Sequence, residues 1–445
     1  MLSFLRAIVI ISGVTLVAGC THAESYLQRS GSAVSPPPVN IPFEDYVKNT
    51  EAQILSVLTE KQTPSHYQHN QGSVYTQAVA AKMRAPFQIP ANATTRCTDG
   101  DSGATKGFLL VHGLTDSPYL MTGLAASVHN QYPCALIRAI VLPGHSTIPG
   151  DSLFSKDMTY QKWQEATAYG VSSFDKMDDI RSVYVLSFST GAPLLIRHIK
   201  EHENDNTKIK GAVFISAAIK AKNKLAFSAS FLQHFIDWTD LHNEQDAARY
   251  ESFSFHAGAE FYELTTVLDK DQYQFTLPLF VAISADDTTV SAEAALNYFC
   301  AAKNPVKKLI WYEYADSKEP LSNFAGNIGD CRKDITVRMP KDVVNIPSQY
   351  VSFSHTSMSM PPNDEHYGVN GNYKQCKDYY DFDKPESQEF TGCVKAEGDH
   401  YIVGEGTKEL KAYAKDKGLY WRRGTYNADY DFMVEQIISF LGSLP

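Results

Sequence analysis

Short runs of consecutive apolar residues alternate along this chain with stretches whose apolar positions recur every three or four residues. A continuous run is what a strand buried on both faces of a sheet needs, and the three-to-four spacing marks a helix with one buried face. The runs fall at 106–111, 134–142, 183–186, 209–217, 277–284 and 308–314. Helical spacing is read at 43–62, in the helix that begins near Pro118, at 158–176 around Trp163, in the segment containing Leu194, Leu195, Ile196 and Ile199, at 291–301, and at 429–442. Strands alternating with helices at these intervals predict an α/β fold: a mainly parallel sheet with helices on both faces.

Two stretches break the alternation. Residues 218–275 are rich in aromatics (Phe227, Phe231, Phe235, Trp238, Tyr250, Phe253, Phe255, Phe261, Tyr262) and read as a mostly helical insertion. Residues 315–428 are rich in Asp, Asn, Gly, Lys and Tyr with little periodicity, and read as a late insertion, of which about 315–347 is expected to loop away from the site. Ahead of the first strand, 63–105 is irregular and polar, so 43–105 is an N-terminal extension and 106–445 the main domain. Residues 21–42, dominated by Ser, Pro and Gly, have too few apolar groups to offset their ordering entropy and read as a flexible tether.

The first twenty residues differ from the rest. One basic residue in the first six, an apolar stretch too short to span a bilayer, and Val17-Ala18-Gly19-Cys20 read as a secretory signal. Its end resembles the bacterial lipobox, which implies a lipid anchor on Cys20. With Thr21 rather than Asp following, the resemblance is to lipoproteins of the outer membrane, so the expected location is the cell envelope. Beyond Cys20, six cysteines remain (Cys97, Cys134, Cys300, Cys331, Cys376, Cys393), an even number that in an exported chain predicts disulfides. Sequence neighbours are the simplest pairing, and the spacing fits no zinc site. A formal charge of −10 over 445 residues, with no basic run, argues against nucleic acid. No Gly-rich phosphate loop or dinucleotide fingerprint is present, and no cofactor is expected.

The candidate chemistry centres on 182–198. The apolar run there passes through Ser187-Phe188-Ser189-Thr190-Gly191 directly into helical spacing. A serine on such a strand-to-helix turn is held in a strained conformation that lifts its hydroxyl off the sheet, and small neighbours let strand and helix approach. Three further features stand at strand ends: His112-Gly113-Leu114-Thr115 after the first run, Asp286-Asp287-Thr288-Thr289-Val290 after 277–284, and Ser354-His355-Thr356 later still.

In this order the four features resemble the α/β-hydrolase superfamily, in particular carboxylesterases, monoacylglycerol lipases and lysophospholipase-like hydrolases. The first small residue of the serine turn is Ser187 where the family usually has Gly. The resemblance implies a nucleophile at Ser189, an acid at Asp287 rather than its neighbour Asp286, and a base at His355, with His366 and His400 as other late histidines. It also implies an oxyanion site made by the N–H groups of Leu114 and Thr190, and makes 218–275 the cap. The expected activity is hydrolysis of carboxylic esters, with a small-molecule ester or lipid such as a monoacylglycerol or lysophospholipid as substrate. Two alternatives share the sequence: an acyltransferase using the same three side chains, and a catalytically silent envelope scaffold whose partner surface is the Tyr-rich late region around Tyr373, Tyr379 and Tyr380. Oligomeric state is not readable.

Overall fold

The computed structural model describes residues 25–61, 75–91, 97, 105–156, 158–205, 207–222, 226–242, 244–314, 316–380, 384 and 387–445. Residues 1–20, expected to be a secretory signal, and with them Cys20, lie outside the described residues. Twelve strands are present among these: β1 Phe87–Ile89, β2 Lys106–Val111, β3 Leu136–Ile140, β4 Ser182–Phe188, β5 Ile209–Ile215, β6 Trp238–Asp240, β7 Phe253–Ser254, β8 Leu279–Ser284, β9 Lys307–Tyr312, β10 Ile335–Arg338, β11 Tyr401–Gly404 and β12 Tyr420–Arg423. Eight of them form one sheet in the order β1-β3-β2-β4-β5-β8-β9-β10. All neighbours in it run parallel except β1, which pairs antiparallel with β3.

The continuous apolar runs are the central strands. Phe108 to Val111, Val183 to Phe188 and Leu279 to Ser284 are buried at every position, which only a sheet covered on both faces allows. One face carries Leu109, Val185, Phe214 and Val281 with the helices Tyr160–Ser172, Gly191–Glu201 and Ala292–Ala301. The other carries Phe108, Leu110, Leu186 and Ile215 against the helices Thr122–Gln131 and Tyr430–Gly442.

Several sequence expectations change. Residues 25–42 are not a free tether. Tyr26, Leu27 and Val34 are buried, the Val34 carbonyl accepts from the Gly144 N–H (2.9 Å), and the Ser30 N–H donates to Asp151 (2.8 Å). Three buried side chains, each worth about 1.5–3 kcal/mol, outweigh the polar composition between them. The N-terminal extension is part of the fold: 63–105 contains the helix Gln77–Arg84, capped by Thr76, and the edge strand β1. The aromatic insertion is smaller and less helical than expected. Its last helix, Phe255–Asp271, places Ala257, Phe261, Leu264 and Leu268 on one face in the main core, so it is a crossover helix of the sheet. Only 218–254 lies outside that scheme, and there Phe227, Phe231 and Phe235 are 57%, 67% and 71% exposed. These three rings neither fill a pocket nor form a core for the insertion. The late region is not a separate lobe either. It supplies β10 to the sheet, and its Tyr350, Phe353, Tyr367, Tyr373, Val403 and Tyr426 share a core with Leu110 and Leu186.

The three disulfides join sequence neighbours, Cys97–Cys134, Cys300–Cys331 and Cys376–Cys393. Among the described residues no helix is long and apolar enough to cross a membrane.

Candidate active site

β4 ends at Phe188 and the helix Gly191–Glu201 begins three residues later, with Ser189 between them at φ +51°. A side chain in that left-handed conformation is strained and persists only where its surroundings enforce it. Here the Ser189 N–H donates to the Ile215 carbonyl (2.9 Å), and its own carbonyl accepts from Ala192 (3.0 Å) and Ala218 (3.2 Å). The glycine two residues on is required by space. A Cβ at Gly191 would stand 2.4 Å from the Val111 carbonyl oxygen and 3.0 Å from Cβ of Ser187. The same crowding explains why Ser serves at 187, since a larger group there would meet the helix.

The structure brings Ser189, His355 and Asp287 into one line. Ser189 Oγ lies 3.1 Å from Nε2 of His355, and Nδ1 of His355 lies 2.6 Å from Oδ2 of Asp287. An ionised carboxylate can only accept, so the Nδ1–H donates to Asp287 and the Nε2 lone pair faces the serine hydroxyl. Asp287 is itself fixed. Its Oδ1 accepts the N–H groups of Thr289 and Val290, both at 2.8 Å. All three side chains are buried, Ser189 5%, His355 4% and Asp287 1% exposed, where electrostatic interactions are stronger than in water.

The neighbouring candidates stand elsewhere. Asp286 turns away to accept from the Ser317 hydroxyl (2.7 Å) and has one carboxylate oxygen without a partner. Burial, with Glu405 and Glu313 nearby, pushes its pKa up to about 7. His366 is fully buried between Asp246 (2.8 Å) and the Tyr75 hydroxyl (3.1 Å). His400 is exposed at the end of a short turn, 398–400.

The turn after β2 packs directly on the serine. A Cβ at Gly113 would lie 2.8 Å from Ser189 Cβ and 2.6 Å from Asp116 Oδ2. The backbone N–H groups of Leu114, on this turn, and of Thr190, which caps the helix Gly191–Glu201, donate to no acceptor among the described residues. That helix also directs the positive end of its dipole here. The turn is pinned by the segment 246–250: Tyr250 N–H donates to the Thr115 carbonyl (2.9 Å), Ser117 hydroxyl to the Ala248 carbonyl (2.6 Å), and Arg249 faces Asp116 at 3.6 Å. Buried Arg84, from the N-terminal extension, holds that segment through the carbonyls of Asp246 (2.9 Å) and Ala247 (2.7 Å). Burial raises the Asp116 pKa to about 6 although Arg249 pulls it down. His112 donates Nδ1–H to Gly113 O (2.8 Å) and accepts from Leu142 N–H (3.0 Å) through Nε2. Burial pushes its pKa down to about 3, so it ties two loops as a neutral ring.

Sequence reasoning missed the groups that hold the base. The His355 carbonyl accepts from Ser216 Oγ (3.3 Å), and its N–H donates to Oε2 of Glu405 (2.9 Å). Glu405 lies in the aperiodic late region, where nothing marks it. No signal short of the fold could have found it.

No protein-family model and no curated protein matches this sequence. Solved structures do resemble it. A metagenome-derived lipolytic enzyme is 17% identical, with 56% of this chain and 97% of that one covered at a TM-score of 0.42. The monoacylglycerol lipase of Paleococcus ferrophilus is 16% identical over 51% of this chain and 88% of its own, TM-score 0.39. A soluble variant of the Saccharomyces cerevisiae monoglyceride lipase is 14% identical over 61% and 94%, TM-score 0.40. The sheet order, the strained serine turn between β4 and its helix, and the chain order serine, acid, histidine give this protein the α/β-hydrolase fold.

Proposed function

We propose that the protein is a serine hydrolase that cleaves carboxylic esters through an acyl-enzyme on Ser189. The observation that carries this reading is the continuous hydrogen-bonded line from Ser189 Oγ through His355 to Asp287. A serine hydroxyl is almost wholly un-ionised near neutrality, so it attacks a carbonyl carbon only if a base removes its proton as the bond forms. His355 Nε2 is at the distance that transfer requires. The resulting imidazolium is stabilised by Asp287 across 2.6 Å. The oxyanion formed on the carbonyl oxygen is met by the N–H groups of Leu114 and Thr190, two fixed donors beside the buried serine. The imidazolium then gives its proton to the departing alcohol. A water molecule, deprotonated by the same nitrogen, releases the acid and restores Ser189.

The resemblance of the four sequence features to monoacylglycerol lipases and lysophospholipase-like hydrolases favours a substrate that carries an acyl chain, such as a monoacylglycerol or lysophospholipid. Cys20 as the lipidated residue, and the cell envelope as the place of action, belong to the same proposal. Intact mass measurement of protein purified from membranes tests the lipid.

Labelling by a fluorophosphonate probe, compared with Ser189→Ala, tests the enzyme reading. Wild type is expected to label and to hydrolyse short p-nitrophenyl esters, and the variant to do neither. Equal labelling of both, or of neither, would leave an α/β scaffold without this chemistry.

A further inference from the structure

The base and the acid are gripped by one ion pair that comes from neither of their own loops. Glu405 follows β11 and Arg423 ends β12, and these two strands pair in parallel with Gly404 opposite Arg423. Glu405 Oε2 accepts the backbone N–H of His355 (2.9 Å), while Oε1 accepts the Gly406 N–H (2.6 Å) and Nε of Arg423 (2.7 Å). The second arm of the guanidinium donates to Glu405 Oε2 (3.1 Å) and to Thr289 Oγ1 (2.9 Å). Thr289 in turn gives its N–H to Asp287. The contacts therefore run unbroken from the loop of the base to the loop of the acid.

The Glu405 side chain has no solvent exposure and that of Arg423 has 16%. Two desolvated charges are a poor device for stability alone, because apolar residues of the same volume hold a fold as well or better. What this pair has that an apolar pair lacks is direction: besides the bonds within the pair and one to Gly406, its hydrogen bonds end on His355 and Thr289, in the two reacting loops. We propose that Glu405 and Arg423 are positioning residues that hold the His355 ring and the Asp287 carboxylate in line and keep the field at the ring balanced during proton transfer. This rests on the ester-hydrolase reading above.

The charged and titratable groups facing the ring are Asp287 on Nδ1, Asp116 from the turn after β2, and Glu405 beneath the backbone. Arg423 stands behind Glu405 and faces Asp287, with Arg249 and Asp286 one layer further out. Glu405 and Arg423 cancel at the ring, so removing one charge alone exposes the field of the other.

The test is kcat and KM for a p-nitrophenyl ester across pH, with melting temperature and fluorophosphonate labelling as parallel readouts, for wild type, T289V, R423K, E405Q and E405Q/R423M. R423K and the double variant are expected to lose about tenfold or more in kcat with KM within about twofold, as small misplacements of reacting groups do. T289V, which severs the link without unpairing a buried charge, is expected to lose about threefold. E405Q leaves the Arg423 cation unbalanced, which disfavours imidazolium, so the acid limb of kcat/KM moves to lower pH; the double variant returns it. If R423K does not fold, T289V and the double variant decide. Folded variants with unchanged kcat, or E405Q with an unmoved acid limb, overturn the positioning role and leave the pair as scaffolding of the late region. A wild type that neither hydrolyses ester nor labels at Ser189 overturns the hydrolase reading itself, which the labelling readout separates from failure of the positioning role.

Discussion

Asp287 accepts three hydrogen bonds, two from backbone N–H groups of its own loop and one from His355. The first two keep it aimed, and the third sets the tautomer of the ring. Asp287→Asn should leave the fold intact, because an amide oxygen still accepts from the loop, but its NH2 group would face Nδ1 and favour the wrong tautomer. A fall in kcat of about a thousandfold or more is expected in ester assays near neutrality, with melting temperature little changed. Its neighbour behaves oppositely. Asp286 has a folded pKa of about 7 against an ordinary 3.8. A raised folded value means its contribution favours folding at low pH and is lost as pH rises from about 4 through 7. Asp286→Asn should therefore stabilise the protein by on the order of 2 kcal/mol at pH 8 and by much less at pH 5, measured by urea unfolding at both pH values. The sequence distinguished these adjacent carboxylates only by family spacing; burial and partners, which spacing does not encode, are what separate them physically.

At the scale of elements, legibility followed locality. The turn at Ser189 could be read because most of its constraint is local: strand, small residues and helix are contiguous, and Gly191 meets Ser187 within one βα unit, while Val111 presses on it from the adjacent strand β2. Gly191→Ala puts a methyl group against a backbone carbonyl that cannot rotate away. It should lower stability by about 2 kcal/mol or more and reduce fluorophosphonate labelling together, seen by thermal melting and gel fluorescence. The central strands were read from their unbroken apolar runs. The edge strands β1 and β10 have three and four residues, too few to show a period, so both were read as irregular chain. The helix Phe255–Asp271 was assigned to the cap because its aromatics resemble their neighbours in composition. Its spacing of Ala257, Phe261, Leu264 and Leu268 was the better guide, since a stripe on one face means burial against a sheet. Glu405 was beyond reach because its partner His355 is 50 residues away in sequence, and no local pattern records a contact made by tertiary packing.

For the molecule as a whole, segments that look peripheral in sequence converge on the centre. The N-terminal extension supplies Arg84 to the segment behind the turn after β2, and the late region supplies the grip on His355. The late region is tied by Cys376–Cys393, which closes a span of 17 residues beside β12. A loop of that size is worth about 3 kcal/mol in the chain-entropy account. Replacing both cysteines by serine should lower the melting temperature and the ester activity in parallel, whereas a disulfide that tied down only a remote lobe would leave activity unchanged below the new melting point. The placement of Glu405 and Arg423 also has a meaning in time. The ribosome makes Ser189, Asp287 and His355 well before it makes the two residues that hold them in register. A chain interrupted at 400 thus possesses every reacting atom while the amide of its base still lacks an acceptor. Competence arrives only once residues 405–423 have been made, and until then the growing chain carries its reacting groups without the grip that aligns them.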